Sequence, residues 1–463
     1  MITQELVGNL KKPEWDELKR FIQYRYPRIR KEVSLALDEL CKKQSSELDR
    51  EQIHNSVFPS TPFNDKTIRY LLTDVNKVIF EFLSIKQLIK KPRQQQTLLL
   101  QELSERKCVK AFDKTYNQEL KRVESSKQVD TSALRFKYEL HSLKAKSELE
   151  SGQRSSDVFE ESSLYLDSYF VAKKLQISAE KINLNFILKK EWNDPFLKTI
   201  LEQIDAGLFN QSPYILLYRL IIQSLTEPKN EGVFDKLKRE VPNLLGQLSD
   251  SELSDLYQYL LNYCIRRINA GRLVFQTELL MVYQSALENG ALLTNDRISQ
   301  WDFKNVVTIA LRTKNTEYAR EFIHSYKQRL PGAQRTNALA YNLANLHFSE
   351  GNYRDAIKQL QKVDLDDVFY RLDARSILLK SYYELDDIDA LHYHAAAFRS
   401  FLKRNRKISD NQRKLYLNLI KYTVSLTKLD GDKSRLAKVE KQVKENPNVA
   451  DLSWLETKIK ALQ

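Results

Sequence analysis

Ten glycines and eleven prolines are spread through 463 residues, under half of the roughly 12% that average usage would give. A sheet-rich fold needs many tight turns, and glycine and proline are the residues that make most of them. Their scarcity argues against β-architecture. Leu, Lys, Glu, Gln and Ala fill the chain instead, and these are good helix formers. The expected fold is all-α, with an N-terminal helical domain followed by an α-solenoid of helix pairs.

Apolar spacing carries the reading further. Pro13 suits a first helical position, and Trp15, Leu18, Phe21 and Ile22 follow on one face. Pro27 is expected to open a second helix, with Ile29, Val33, Leu37 and Leu40 as its stripe. The run "KRFIQYRYPRIRK", residues 19 to 31, holds six cations and no carboxylate. Asp49 can cap a third helix. After the turn "VFPSTPFN", Asn64 or Asp65 caps a longer one, whose apolar positions are Ile68, Leu71, Leu72, Val75, Val78, Ile79, Phe82 and Leu83. That is a 3.6-residue period held over about five turns. "KKPR" at 90–93 ends it, giving a domain boundary at residue 93.

Residues 94–205 read as long, highly charged helices, with "SGQRSSD" at 151–157 as a linker and "WNDPF" at 192–196 as a turn. From 206 to 463 the helices shorten and pair, with turns at "EPKNEG", "INAGR", "ENG", "LPGAQ", "SEGN" and "LDGD". Paired helices at a steady pitch are how a solenoid shows itself in sequence.

The clearest unit is "NALAYNLANLHFSEGNYRDAIKQLQKV", residues 337–363. It resembles a tetratricopeptide repeat. Leu343 and Ala344 fill the Leu and small-residue positions, Gly351 and Tyr353 the turn and its packing aromatic, and Ala356 the small residue at the helix crossing. His347 stands where the family usually has Tyr. A looser unit before it aligns through Val306, Ala310, Ala319, Ile323 and Pro331, with Val307 at its small-residue position. Another after it aligns through Leu378, Tyr382, Asp386, Ile388 and Leu391. The equivalent positions Ala319, Ala356 and Leu391 lie 37 and 35 residues apart, against a family pitch of 34. The overall layout also resembles a group of uncharacterised helical bacterial proteins, from which no activity can be carried over.

Some tetratricopeptide domains hold a peptide C-terminus in a clamp of Lys, Asn and Arg. Lys304 and Asn342 match two of those positions, but Thr308, Asp373 and Ile377 replace the others, and an Asp there would repel a carboxylate. The clamp is therefore not expected. Asn342, Asn345 and Lys380 are the polar inner-face residues expected to meet a partner.

The stretch "LDREQIHNSVFPSTPFNDKTIRYLLTDVNKV" is similar to the winged-helix part of bacterial transcriptional activators, in several of which a tetratricopeptide-like domain follows. That resemblance implies a helix whose exposed face is Lys66, Arg69, Tyr70, Thr73, Asn76 and Lys77, with Arg69 and Asn76 on bases and Lys66 and Lys77 on phosphates. The strand pair of a wing is missing after Ile85, and Asp65, Asp74 and Glu81 dilute the positive face.

Little else suggests chemistry. His392 and His394 lie about 200° apart on a helix and cannot share a metal. No two glycines are spaced for a phosphate loop. Cys41, Cys108 and Cys264 are far apart and read as buried reduced thiols. The N-terminal stretch lacks an apolar segment, and "YILLYRLII" is interrupted by Arg219, so no signal peptide and no membrane span are expected. A net charge of +13 favours polyanions without defining a fold. The expected protein is cytoplasmic, not an enzyme, and needs no cofactor. It serves as an interaction scaffold for a protein or peptide partner; the alternative is a DNA- or RNA-binding regulator.

Overall fold

A computed structural model of the chain describes residues 2–43, 49–152, 156–188, 194–361, 368–429 and 432–463. Among the described residues there are 23 α-helices and one two-stranded hairpin, Leu293–Thr294 with Arg297–Ile298. The protein is all-α, as its composition requires. Among the described residues no helix is long and apolar enough to cross a membrane. The linker at 151–157, the turn at 192–196, the "LDGD" turn and the end of the unit at 337–363 fall partly outside the described residues.

The chain divides into two compact units, 1–173 and 174–463. This differs from the three segments read from the sequence: residues 94–173 belong with the first unit and 174–205 with the second.

The first unit is organised by α5 (Asp65–Ile89). Asn64 caps it, its side chain accepting from the Lys66 and Thr67 amides at 3.0 and 3.1 Å. Ile68, Leu71, Leu72, Val75, Val78, Ile79 and Phe82 are all buried, each such side chain contributing roughly 1.5–3 kcal/mol. Against this stripe pack α1 (Ile2–Asn9), α2 (Lys12–Arg25), α3 (Lys31–Lys43) and α4 (Arg50–Val57). The helix expected from Pro27 starts later, at Lys31, because Pro27 lies in the turn that precedes it. A second cluster joins α6 (Pro92–Glu105), α7 (Val109–Ser125) and α8 (Thr131–Glu150) through Leu100, Phe112, Tyr116, Val123, Phe136 and Leu140. Helix α9 (Ser156–Leu188) contains the division between the units.

The second unit runs from α10 (Pro195–Asp205) through α11 (Pro213–Thr226), α12 (Glu231–Leu244), α13 (Asp250–Asn269) and α14 (Phe275–Glu288) to nine further helices. These are α15 (Gln300–Arg312), α16 (Thr316–Tyr326), α17 (Gly332–Ser349), α18 (Tyr353–Gln361), α19 (Val368–Glu384), α20 (Ile388–Arg404), α21 (Asp410–Leu426), α22 (Lys433–Glu445) and α23 (Leu452–Ala461). Helices pack on their successors from α10 to α12 and again from α13 to α22, with α11 reaching α13, and α15, α17, α19, α21 and α23 also pack each on the next in that row. Consecutive pairing of this kind is a solenoid-like arrangement, compatible with a helical-repeat protein.

The turns repeat too. Lys314, Gly351 and Asp386 have φ of 60°, 80° and 54°, so the left-handed residue recurs after 37 and then 35 residues. Each closes its helix identically. The amides of Asn315, Asn352 and Asp387 bond back to the carbonyls of Ala310, His347 and Tyr382 at 2.8, 2.8 and 3.0 Å, the Schellman pattern that satisfies a helix end. Five residues beyond each turn lie Ala319, Ala356 and Leu391, all wholly buried.

Of the cysteines, only Cys264 is deeply buried, its thiol pushed up to about 12 by burial. Cys41 is half-buried and Cys108 exposed, because Cys108 precedes α7 instead of facing a core.

Candidate functional site

Helices α15, α17, α19 and α21 place one face each on a groove of about 640 Å³, which Ala450, Asp451 and Trp454 also line. Local sequence fixes two of the starts. The Ser299 hydroxyl accepts from the Asp302 amide at 3.0 Å to begin α15. Ser409 and Gln412 form a reciprocal capping box that begins α21.

The groove is crosslinked by side chains about two repeats apart. Lys304 of α15 pairs with Asp373 of α19 at 2.5 Å, 69 residues away. The Tyr416 hydroxyl of α21 donates to the same carboxylate at 2.8 Å. The Tyr370 hydroxyl of α19 donates to the Gln300 carbonyl at 2.9 Å, 70 residues back. Lys380 of α19 pairs with Asp451, whose backbone is left-handed at φ 58°. The Trp454 indole donates to Glu384 at 2.7 Å, 70 residues away, and Lys458 reaches the other oxygen at 2.6 Å.

Both lysines also face aromatic rings. The Lys304 ammonium lies 5.0 Å from the Tyr370 centroid and 5.3 Å from that of Tyr341, while Lys380 lies 4.5 Å from Phe348. Such contacts favour a cation at little desolvation cost. Burial alone would push the Asp451 carboxyl up, but the Lys380 ammonium, with a contribution from Arg312, holds it below the ordinary value. Tyr416 is pushed well above its usual range by burial and then by Asp373, so its hydroxyl stays a donor.

The inner-face residues expected from sequence divide. Asn345 and Lys380 line the groove. Asn342 does not: it is wholly buried, its amide donating to the Ala338 carbonyl at 2.8 Å. Residues three apart on a helix are offset by about 60° around its axis, and that offset carries Asn342 into the packing between helices. Lys304, which matches a clamp position, pairs instead with Asp373, the residue that replaces another. The groove also contains residues no repeat alignment singles out: Asn305, Arg312, Gln412 and Trp454. Arg312 has no carboxylate partner at salt-bridge distance among the described residues.

On α5, Lys66, Arg69, Tyr70, Thr73 and Lys77 are exposed and Asn76 is half-buried. Most of the charge is spent locally. Arg69 pairs with Asp65, which also holds Arg50 at 2.8 Å. Lys77 pairs at 3.1 Å with Asp74, which also holds Arg30 at 2.8 Å. Glu81 takes Arg25 at 2.8 Å and the Tyr26 hydroxyl. The basic run at 19–31 thus supplies partners for α5's own carboxylates. The Thr73 hydroxyl donates to the Arg69 carbonyl at 2.8 Å. The segment from α4 to α5 spans residues 58–64, longer than the 3–4-residue turn of a helix-turn-helix.

His394 is buried, with Nε2 2.9 Å from the Arg375 carbonyl. Among the described residues no group of three or more His, Cys, Asp or Glu could hold a metal ion. No protein-family model and no curated protein matches the chain.

Proposed function

We propose that the chain is a non-enzymatic interaction scaffold that holds an extended segment of a protein partner in the groove of the second unit. The observation carrying this reading is the lining itself. The amides of Asn305 and Asn345 share a 640 Å³ groove with the apolar surfaces of Phe348, Leu415 and Trp454, while its two lysines are already neutralised. Amides that can donate and accept suit a peptide backbone, and the rings suit its side chains. Arg312 supplies one cation for an acidic residue of the partner. We read the helix pairs at 300–404 as tetratricopeptide-like, supported by the repeated turn and by the wholly buried small residues Ala319 and Ala356.

Selection of a random-peptide display library on the intact chain tests this. Recovered peptides should bind with micromolar or better affinity and lose about tenfold, or about 1.4 kcal/mol, with Asn345→Ala or Trp454→Ala. Failure to enrich any peptide, or binding indifferent to both substitutions, would sink the proposal. The alternative, nucleic acid on the α5 face, has weaker support because Arg69 and Lys77 are held by neighbouring carboxylates.

A further inference from the structure

The first unit contains a cavity of about 670 Å³ at the turn between α5 and α6, walled by α7 and α8. Lys90, Lys91, Arg93, Arg122 and Arg135 line it, against the carboxylates of Glu119 and Glu139. Both carboxylates are engaged. Glu119 holds Arg122 at 3.3 Å, and Glu139 holds Arg135 at 2.7 Å and the Thr97 hydroxyl at 2.9 Å. Lys90, Lys91 and Arg93 are left without a carboxylate partner at salt-bridge distance among the described residues. Arg93 is oriented by neutral acceptors instead, Nη1 donating to Ser132 Oγ at 2.8 Å and Nη2 to the Gln128 amide oxygen. An arginine positioned this way keeps its charge for a ligand.

Two further features fit an anion with an apolar body. Lys91 at the N-cap of α6 provides no side-chain cap, so the first-turn amides of Arg93 and Gln94 are not satisfied by one, and both residues line the cavity. Carbon surface comes from exposed Pro92, while the Arg93 guanidinium carbon lies 5.8 Å from the centroid of the buried Phe136 ring, which backs it. Cations beside apolar and guanidinium surface are what a phosphate attached to a flat ring requires.

We propose that this cavity binds a nucleoside phosphate, either free or as the repeating unit of a single strand, with the phosphate on Lys90, Lys91 and Arg93 and the base against Pro92. The proposal is independent of the groove reading and involves none of its residues.

The test is fluorescence anisotropy of the intact chain with a labelled mixed-sequence single-stranded oligonucleotide, competed by ATP, inorganic triphosphate and polyglutamate. Binding should weaken about tenfold or more in Lys90→Gln/Lys91→Gln. Its log–log salt slope should become shallower by about 1 or more. Both lysines are exposed, so that variant should fold; Arg93→Gln, which also loses the Ser132 bond, serves as a second check with circular dichroism beside it. Lys66→Ala/Arg69→Ala should bind like the parent. ATP competing as well as the strand identifies the free nucleotide, and affinity growing with strand length identifies the strand; either supports the site. Absence of binding at low salt, indifference to the Lys90/Lys91 variant, or equal competition by inorganic triphosphate or polyglutamate would overturn it.

Discussion

In the groove of the second unit, Lys304 and Lys380 each meet a carboxylate, Asp373 and Asp451. In the cavity of the first unit, Lys90, Lys91 and Arg93 meet none among the described residues. The same residue types therefore do different work. Lys304 and Lys380, the two lysines lining the groove, expose 14% and 7% of their side chains, and a cation so buried must be paired where it stands. Their partners lie about two repeats away in sequence, so the pairs tie inner helices across the groove. Lys90 and Lys91 are exposed, bear no such structural duty, and remain available to an anion. A lysine lining a concavity is thus an anion ligand only when the fold has not already claimed it.

The largest effect expected from this contrast is on stability. Asp373→Ala leaves Lys304 without its carboxylate and the Tyr416 hydroxyl without its acceptor, which should cost about 3 kcal/mol. The loss should appear as a lower urea midpoint and faster hydrogen exchange in α15, α19 and α21. Lys90→Gln/Lys91→Gln should leave the midpoint unchanged. Equal effects from the two variants would erase the distinction between the sites.

A second expectation compares successive repeats. Gly351 has φ of 80°, and a Cβ placed there meets nothing within 4 Å. Gly351→Ala should therefore carry only the backbone cost of the left-handed region, about 1 kcal/mol. Lys314 and Asp386 already bear that strain at the equivalent turns. Lys314→Gly should in turn raise the midpoint, by at most about 1 kcal/mol. Thermal melts of the two variants should move in opposite directions. If both lower the midpoint, the turns are not equivalent.

These turns also show what sequence could reveal. The pitch was legible because Ala319, Ala356 and Leu391 are wholly buried, where packing restricts what fits. The α5 stripe was legible because seven buried residues follow one helical period. The groove was legible only in part. Asn345 and Lys380 could be found from the repeat, but Asn342 lies one turn-fraction away, where helical phase decides between groove and core. The pairing of Lys304 with Asp373 depends on how helices two repeats apart approach, which no local pattern records. "KKPR" at 90–93 reads as a helix terminator, and it is one. Only the fold brings Arg122, Phe136 and Ser132 around it to make a cavity.

A pH series should affect both units in the same sense. Burial pushes His394 below its ordinary 6.5, the Arg375 carbonyl opposing. Burial likewise pushes His141 down, against the pull of Glu161. When the folded value lies below the unfolded one, the unfolded chain takes the proton first. The stabilisation is present above about 6.5 and is lost as pH falls toward the folded value. Melting temperature should drop between about pH 7 and pH 5. His394→Phe, placed beside Tyr382 and Phe398, should reduce that drop without abolishing it, because His141 still titrates. A drop of undiminished size would mean His394 is not one of its sources.

The smallest effect should come from α5, and it tests the contrast within one unit. Arg69 and Lys77 are exposed and paired with Asp65 and Asp74 on their own helix, the arrangement in which an ion pair contributes least. Arg69→Ala and Lys77→Ala should shift the melting temperature within experimental scatter. They should also leave oligonucleotide affinity where it was, since each is held at salt-bridge distance by a carboxylate of its own helix. Lys90 and Lys91 lie just past the end of the same helix, yet without such partners. If Arg69→Ala weakened oligonucleotide binding as much as Lys90→Gln/Lys91→Gln, local pairing would not be what separates a silent cation from an active one, and the α5 face would return as the nucleic-acid surface.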